Sequence, residues 1–304
     1  MSPFHSAVPS LCRRAGEIAR GWSVGPPRHD DAVTEHSDLQ RTFIVEGRPW
    51  KDAVIAYLEP RSPYRPWFIG EHIRKGDVLI TVLDTDPRTV LCMEVAGPSS
   101  LDAIGVTESW TLATLPSVAA FEACAGVAVP TAAGRVDDDV AGRLTTPFFK
   151  CSANFDDPFT PQGETSHTTA AAARVLLKSA GKCTACGETI DLRGGAARER
   201  VHIHTAENGV DQWNYYGPAH DWPAVLCCRC QTEMTEGGFS TFLDYRFSFH
   251  PSCPRCGASQ TRSASIGMPN PGEPVPPWTV PLGCIVTDPV PEWICGGCGY
   301  RWAT

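Results

Sequence analysis

Short apolar runs separated by turn sequences organise the first half of the chain. Each run is brief enough to form one strand, and the later runs are rich in β-branched residues. The runs lie at residues 42–45, 53–58, 77–83 and 89–97. A turn sequence, Asp84-Thr-Asp-Pro-Arg88, separates the last two, so we expect them to pair as an antiparallel hairpin. The pattern predicts a β-rich domain over residues 41–150.

Helical sequence is confined to a few segments. A helix packed on the sheet is expected around residues 117–125, and Asp137-Asp-Asp139 after it indicates a solvated loop. The clearest helix spans residues 168–181, where a Thr N-cap precedes strong helix formers and a Gly closes the segment. This helix leads into the first cysteine pair of the chain.

Two segments lack any periodic pattern of apolar residues. Residues 1–40 mix Pro, Gly, His and charged residues, and we interpret them as an extension. Residues 151–166 carry no Lys or Arg and have the composition of a linker. The linker predicts a domain boundary between the β-rich half and the cysteine-rich half.

Length and composition are those of an ordinary globular protein. The chain has 304 residues, of which 42% are hydrophobic, and is long enough for two or three domains. No apolar run reaches the roughly 18 residues that a membrane-spanning helix needs, and the first residues lack the pattern of a secretory signal. We therefore expect a cytoplasmic protein without membrane contact.

The charge of the chain limits the kinds of partner it can have. Net charge is −8 at pH 7, and from residue 167 onward 11 Lys and Arg stand against 12 Asp and Glu. This balance argues against strong nonspecific binding of nucleic acid, which depends on phosphate neutralisation. A local basic run, Arg193, Arg198 and Arg200, either contacts phosphate or lies on a solvated hairpin.

Cysteine spacing gives the strongest signal in the sequence. Eight of the 14 cysteines form four Cys-x-x-Cys hooks, all in the last 122 residues. The hooks are Cys183/Cys186, Cys227/Cys230, Cys253/Cys256 and Cys295/Cys298. Two thiolates at this spacing reach one tetrahedral ion from a tight turn, so the pattern predicts metal sites in a reducing compartment rather than disulfides.

The four hooks supply enough thiolates for two ions. Four thiolates complete a tetrahedral shell, so we predict two structural zinc ions, with iron as the less favoured alternative. We assume that consecutive hooks pair, although a crossed arrangement would also bind two ions. The other six cysteines are expected to be small buried apolar residues: Cys12, Cys92, Cys124, Cys151, Cys228 and Cys284.

The last two hooks are similar to the two knuckles of a zinc ribbon. A glycine follows the final cysteine of each hook and permits the positive backbone angle of such a turn. Trp293 and Trp302 flank the last hook on an expected strand, and the proline-rich residues 268–281 between the hooks are expected to form a loop. The resemblance implies a ribbon over residues 246–304.

Residues 170–240 resemble the HNH nuclease family. The resemblance rests on the first hook after a helix, on the strand Val201-His202-Ile-His204, and on the second hook opening a helix. It implies a ββα unit that binds a catalytic divalent ion such as Mg²⁺ beside the structural zinc, with a strand histidine as general base. By position it assigns His202, His204 and Asp221 to the catalytic site. Alternation along a strand puts both histidines on one face.

Gln231 departs from the pattern of that family, which commonly has a histidine directly after the last hook cysteine. Glutamine is a poor ligand for a catalytic ion, and His220, beside Asp221, is the candidate that could replace it. The other interpretation of His202 and His204 is that they are surface or packing residues of a treble-clef finger that only binds its partner.

The β-rich domain resembles the PUA-like group of small barrels, which includes the EVE domain. The resemblance rests on the early strand, on an aromatic-rich segment at residues 64–70, and on Lys75-Gly-Asp77 before a strand. It implies a pocket that receives a nucleobase, often a modified one flipped from the duplex, against aromatic side chains. The aromatic candidates are Trp50, Tyr64, Trp67 and Trp110. Taken singly, each of them is better interpreted as an ordinary core or surface aromatic residue of any barrel.

The sequence therefore predicts an α+β protein with three parts: an N-terminal PUA-like β-barrel (41–150), a zinc-held HNH-like or treble-clef module (167–245), and a C-terminal zinc ribbon (246–304). Our hypothesis is a DNA endonuclease of the HNH type, directed to modified DNA as in restriction systems. The alternative is a non-catalytic zinc-finger protein that binds nucleic acid or a protein partner.

Overall fold

The computed structural model of the protein describes most of the chain from residue 40 onward. The described ranges are 40–59, 67–68, 73–100, 103–112, 114–151, 167–206, 221–267, 275–284 and 289–303. Residues 40–304 form one compact unit. Residues 1–39, and residues 152–166 of the expected linker, lie outside the described ranges. Within those ranges, no helix combines the length and the apolar character needed to cross a membrane.

The first half of the described chain folds as a sheet with helices on its two faces. Ser117 caps α2 by accepting a hydrogen bond from the N–H of Ala120 (3.2 Å), which confirms the helix expected around residues 117–125. The elements are β1 (Thr42–Gly47), α1 (Trp50–Leu58), β2 (Trp67–Phe68), β3 (Val78–Leu83), β4 (Thr89–Ser100), β5 (Ala103–Thr111), α2 (Val118–Ala125), β6 (Gly134–Val136) and α3 (Asp138–Cys151).

The apolar run at residues 53–58, expected to be a strand, belongs instead to helix α1. The carbonyl of Pro49 accepts hydrogen bonds from the N–H groups of Asp52 (3.0 Å) and Ala53 (3.1 Å), which starts the helix. Four consecutive residues from Ala53 are buried, because α1 lies between the sheet and a second group of helices. A short run buried on all sides carries no periodic signal that separates strand from helix.

The acidic run at Asp137–Asp139, expected to be a loop, begins helix α3. The carbonyl of Asp137 accepts hydrogen bonds from Val140 and Ala141. Asp138 and Asp139 lie in the first turn, where the helix dipole favours negative charge. The run therefore has a local structural role as a helix start.

The main sheet has the strand order β2-β1-β3-β4-β5, with β6 also paired to β1. β1 and β3 are parallel, whereas the other pairs are antiparallel, including the expected hairpin of β3 and β4. The expected barrel is not formed within the described ranges. β2 and β6 share the outer edge of β1, and no described pair joins β5 to that edge, so the sheet is open.

The two faces of this sheet pack against different helices. One, which we call the α3 face, carries Ile80 and Met93 and packs against Phe121 of α2 and Phe148 of α3. The other, which we call the α1 face, carries Leu83, Leu91 and Cys92 and packs against α1. Side chains alternate along each strand, so neighbouring residues mostly serve different cores. Leu91 and Cys92 share one core because the pairing of β3 with β4 shifts register there.

The second half of the described chain contains the cysteine hooks. Thr168 caps α4 by accepting a hydrogen bond from the N–H of Ala171 (3.1 Å), which confirms the helix expected at residues 168–181. β7 and β8 pair antiparallel and lead into α6. The elements are α4 (Thr169–Lys178), α5 (Ala197–Arg200), β7 (His202–His204), β8 (Ala224–Leu226), α6 (Cys228–Glu236) and α7 (Phe242–Phe247).

The C-terminal strands form a separate sheet of order β10-β9-β11-β12. Its strands are β9 (Thr261–Ser265), β10 (Thr279–Pro281), β11 (Trp293–Cys295) and β12 (Arg301–Trp302). Trp293 lies opposite Trp302 across an antiparallel pair, as expected around the last hook. β10 forms within the segment expected to be a loop, and residues 268–274 of that segment lie outside the described ranges.

One hydrophobic core continues from the α1 face into the cysteine-rich half. It joins Leu83 and Leu91 of the sheet to Leu176 of α4 and Val225 of β8 through the buried side of α1. Arg174 of α4, only 9% exposed, donates hydrogen bonds to the backbone carbonyls that precede α2. Residues from both sides of the expected linker thus share one core, while the domain boundaries themselves stay predictions.

Candidate metal centres and histidine site

Two clusters of four cysteines could each hold a metal ion. Within each cluster the four Sγ atoms all lie within 4.8 Å of one another. The first cluster is Cys183, Cys186, Cys227 and Cys230, and the second is Cys253, Cys256, Cys295 and Cys298. Consecutive hooks therefore come together in the described residues, and the crossed arrangement is not found.

The second cluster has the dimensions of a tetrahedral zinc site. Cys253 Sγ lies 3.7 Å from Cys298 Sγ, and Cys256 Sγ lies 3.6 Å from Cys295 Sγ. Zinc–sulfur bonds of about 2.3 Å would separate the thiolates of a tetrahedron by about 3.8 Å. Four thiolates complete the shell, so an ion here would stabilise the fold and leave no position for a substrate.

Backbone geometry forms the hooks. Gly187, Gly257 and Gly299 have φ angles of 75°, 74° and 68°, which side chains with a β-carbon rarely adopt. Each of these glycines donates its N–H to the carbonyl of the first cysteine of its hook, at 2.8 to 3.0 Å. The second hook uses a helix instead: the carbonyl of Cys227 accepts from the N–H of Gln231 (2.9 Å) at the start of α6.

Backbone N–H groups also favour the thiolate form that binds metal. The N–H of Cys298 donates to Cys295 Sγ at 3.4 Å, and this hydrogen bond lowers the pKa of Cys295 to about 6. In the first cluster, the N–H of Cys227 donates to Cys183 Sγ at 3.4 Å, although burial outweighs this hydrogen bond and raises the pKa of Cys183. Such donors stabilise negative charge on sulfur and suit the ligand role.

The expectation that the other cysteines are buried was correct for Cys92 and wrong for three more. Cys124, Cys228 and Cys284 are exposed. Cys228 lies inside the second hook but outside the metal cluster, and its Sγ lies 3.8 Å from the carbonyl oxygen of Glu199. The first turn of α6 directs Cys227 and Cys230 toward the ion position and leaves Cys228 on the outside. Cys12 lies outside the described residues.

His204 and Asp221 are brought together, as part of a small hydrogen-bond network. His204 Nε2 lies 2.7 Å from Asp221 Oδ2. Asp221 Oδ1 accepts the N–H groups of Trp222 (2.7 Å) and Phe242 (2.8 Å). Burial alone would raise the pKa of Asp221, but these hydrogen bonds outweigh it and lower the pKa below its usual value. Asp221 is therefore an ionised partner that orients His204.

His202 shares the strand with His204 but has a different neighbour. The Nζ of Lys51, on α1, donates a hydrogen bond of 2.6 Å to the carbonyl of Val201, the residue directly before His202. Burial, followed by the charge of Lys51, lowers the pKa of His202. His202 is therefore neutral near pH 7.

The described side chains do not assemble a third metal site. Within the described ranges, the groups of three or more metal-binding side chains are the two cysteine clusters, and His202, His204 and Asp221 do not form such a group. Gln231 donates its amide to Thr235 Oγ1 (3.2 Å) on the same helix. His220 lies outside the described residues. This set does not fit a catalytic divalent ion.

The three arginines expected to contact phosphate take part in local contacts. Arg198 lies 3.3 Å from Asp52 Oδ2, and Arg193 lies 3.0 Å from Asp191 Oδ1. Arg200 donates to the backbone carbonyl of Asp191 (2.8 Å). The segment that carries them lines a cleft of about 170 Å³ against α1. Arg198 lines this cleft, and Arg193 lies in sequence between two lining residues, Leu192 and Gly194. Both arginines are exposed, so their charge is accessible to a partner.

The aromatic residues expected to line a base pocket do not lie on one side of the sheet. Trp50 begins α1, donates its backbone N–H to Asp84 Oδ1 (2.6 Å), and packs on the α1 side. Trp110 packs on the α3 face, edge to face with Phe149 at 5.5 Å. Tyr64 and the side chain of Trp67 lie outside the described part. Trp50 and Trp110 therefore cannot line the same pocket.

The structure contains a buried polar cluster on the α1 face that was not predicted from the sequence. Glu94 is 6% exposed and Thr81 is fully buried, with Thr81 Oγ1 lacking a hydrogen-bond partner in the described residues. Tyr57 of α1 lies near Glu94; burial raises the pKa of Tyr57, and Thr111 is a hydrogen-bonding neighbour. The signal in the sequence was Glu94 itself, a carboxylate in the middle of an otherwise apolar strand.

Comparison with known proteins does not assign this chain to a family: no family model, curated protein or solved structure matches it. The HNH-like and PUA-like resemblances therefore remain proposals. The cysteine clusters, the His204–Asp221 pair and the buried polar cluster carry the functional argument.

Acidification is expected to destabilise the protein partly through His202. Its pKa is lowered in the fold, so its stabilising contribution is complete above the usual value of about 6.5 and is lost as the pH falls below that value. The free energy of unfolding should fall between about pH 7.5 and about pH 5.5, and less steeply in His202→Asn. Denaturant unfolding at both pH values, with zinc content measured in each sample, tests this. Equal pH dependence in the two proteins would contradict it.

Proposed function

We propose that this protein is a DNA endonuclease of the HNH type. One observation carries the proposal: β7, β8 and α6 form a ββα unit anchored by the first cysteine cluster, and it presents the half-buried His204 with a carboxylate partner. A carboxylate hydrogen-bonded to one ring nitrogen fixes which nitrogen carries the proton, as the base of a hydrolytic site requires. The pair formed by His204 and Asp221 therefore supports catalysis more than packing.

The pair can act as a general base on water. Ionised Asp221 accepts the Nε2–H of His204, so Nδ1 carries the lone pair that takes a proton. The water oxygen then forms a bond to phosphorus as His204 takes the water proton. The bond from phosphorus to the leaving oxygen breaks, and that oxygen gains a proton from solvent. The HNH resemblance implies a divalent ion as well, but the described ligands do not fit one, so we assign it no step.

The main sheet is the candidate reader of an altered base. Its buried cluster includes Thr81 Oγ1, which has no hydrogen-bond partner in the described residues, and an oxygen of this kind matches the N–H donors on the hydrogen-bonding edge of a nucleobase. The cluster lies on the α1 face, and α1 also contacts the segment before β7. This supports direction of the nuclease to modified DNA.

The alternative is a zinc protein that binds without cutting. The hydrogen bond from Gln231 to Thr235 favours it. Gln231 occupies the position where HNH nucleases carry a histidine, and its amide is bound within its own helix. In that case His204 and Asp221 serve to join β7 to the start of α7, where Asp221 accepts the N–H of Phe242.

Replacing His204 by alanine is expected to reduce DNA cleavage by about 10²- to 10⁴-fold, the usual contribution of a general base. The assay uses duplexes with modified and unmodified bases, in Mg²⁺, Mn²⁺ or Ni²⁺. His167→Ala is the matched control, since His167 is exposed and its Nδ1 lies 3.1 Å from Thr205 Oγ1.

Cleavage of some substrate by the wild type, retained in His167→Ala and lost in His204→Ala, supports the nuclease. If the wild type cuts nothing at saturating metal, or if His204→Ala cuts as well as the control, catalysis at this site is ruled out. DNA binding that survives both substitutions without any cleavage would favour the alternative.

A further inference from the structure

We infer that Lys51 binds a phosphate of the substrate at the histidine site, although it belongs to the sheet-bearing half of the chain. This inference deepens the proposed function and rests on it. Lys51 lies on α1, and its Nζ donates to the carbonyl of Val201 at 2.6 Å. Val201 is buried and directly precedes His202 on β7. A cation from one half of the molecule therefore lies at the start of the strand that carries the proposed base.

The ammonium group retains donors for a ligand. An ammonium carries three N–H donors, and the carbonyl of Val201 uses one of them. A phosphate oxygen is the partner that a partly buried cation favours, because charge-assisted hydrogen bonds are shorter and stronger than neutral ones. Lys51 is thus placed to hold a phosphodiester next to His202.

The charges around Lys51 favour the binding of an anionic ligand. Asp52 is the nearest acid in sequence, but its carboxylate is paired with Arg198 at 3.3 Å. Arg198 adds a second positive charge at the same place, and its charge, after burial, lowers the pKa of Lys51. Asp52 and Arg198 line the cleft, and with Lys51 beside them the three side chains carry one net positive charge, which a phosphate would neutralise.

The position of Lys51 is fixed by the start of its helix. The neighbouring Trp50 donates its backbone N–H to Asp84 Oδ1 at 2.6 Å, and α1 is buried in the shared core. A preorganised cation stabilises the charge that develops on phosphate during hydrolysis without reorganising. Among the described residues no ligand set for a catalytic metal ion is found, and Lys51 is a source of positive charge beside β7 that does not depend on one.

Two substitutions separate a phosphate-binding role from a structural one. Lys51→Gln keeps an N–H donor for Val201 but removes the charge, whereas Lys51→Arg keeps the charge. We expect Lys51→Gln to lower cleavage by about 10²-fold, the loss typical of one charge-stabilising donor. It should also reduce the slope of log affinity against log salt concentration by about 0.9. Lys51→Arg should stay close to wild type. Lys75→Gln is the matched control, since Lys75 is exposed before β3.

Affinity is measured by fluorescence anisotropy on a short duplex without divalent metal, and unfolding and zinc content are measured for every variant. If the wild type cleaves and Lys51→Gln cleaves like Lys75→Gln, the inference is overturned while the nuclease stands. If the wild type binds DNA without cutting and only Lys51→Gln changes the salt slope, the nuclease fails and the phosphate contact stands. Unfolding of both Lys51 variants, or no DNA binding by the wild type, would also overturn the inference.

Discussion

Replacing Cys183 by serine is expected to release one of two zinc ions and to unfold the main sheet along with the zinc module. Cys183 and Cys230 are 1% and 2% exposed and belong to the same hydrophobic core as α1 and the sheet residues beneath it. A structural zinc ion contributes on the order of 10 kcal/mol to the fold it holds, which is comparable with the whole stability of a domain. Loss of this ion should therefore not stay local.

Zinc content by mass spectrometry and amide hydrogen exchange in β3 and β4 test the result. Cys228→Ser is the matched control, since this exposed thiol lies in the same hook but outside the cluster, and we expect it to keep two zinc ions. Cys295→Ser should release the other ion and increase exchange mainly in the C-terminal sheet. A Cys183→Ser protein with one zinc ion and unchanged protection in β3 would show that the two halves fold independently.

Replacing Arg174 by leucine is expected to destabilise the protein by about 3 kcal/mol. The guanidinium is buried, and its Nη2 donates to the carbonyl of Leu115 at 2.9 Å, beside a further bond to the carbonyl of Thr114. Leucine would leave both carbonyls buried without these donors, and each such loss costs about 1–3 kcal/mol. Because the bonds join α4 to the segment before α2, the substitution weakens the junction between the two halves.

Urea unfolding provides the measurement for Arg174→Leu. Arg135→Leu is the matched control: Arg135 is exposed and lies 3.7 Å from Asp138, so its loss should change the free energy of unfolding by less than about 1 kcal/mol. An effect of Arg174→Leu no larger than that of the control would mean that the hydrogen bonds of Arg174 contribute nothing net to the junction.

The parts of the fold that were predictable from the sequence are those set by local chemistry. The four hooks depend on cysteine spacing and on left-handed glycines such as Gly187, and α4 depends on its Thr168 cap. The hairpin of β3 and β4 follows from two apolar runs around one turn. Each of these signals acts within a few residues of chain.

The parts that were not predictable depend on contacts distant in sequence. Residues 53–58 are helical because they are buried from two sides, and the second side is supplied by α4, more than a hundred residues later. Lys51 reaches Val201 across the expected domain boundary, so no local motif marks it. His204 and Asp221 were assigned by resemblance, and the structure brings these two together but leaves His202 with a different neighbour.

Helix α1 also fixes the distance between the buried polar cluster and the start of β7. Tyr57 lies near Glu94 of the buried polar cluster and Lys51 reaches the start of β7, and six residues of helix separate them by about 9 Å along its axis. This distance equals roughly three base-pair steps of duplex DNA at about 3.4 Å each. Because α1 is buried in one core, it holds Tyr57 and Lys51 at a fixed separation. Under the proposed function, a nuclease built this way would cut at a constant, short offset from the base it reads.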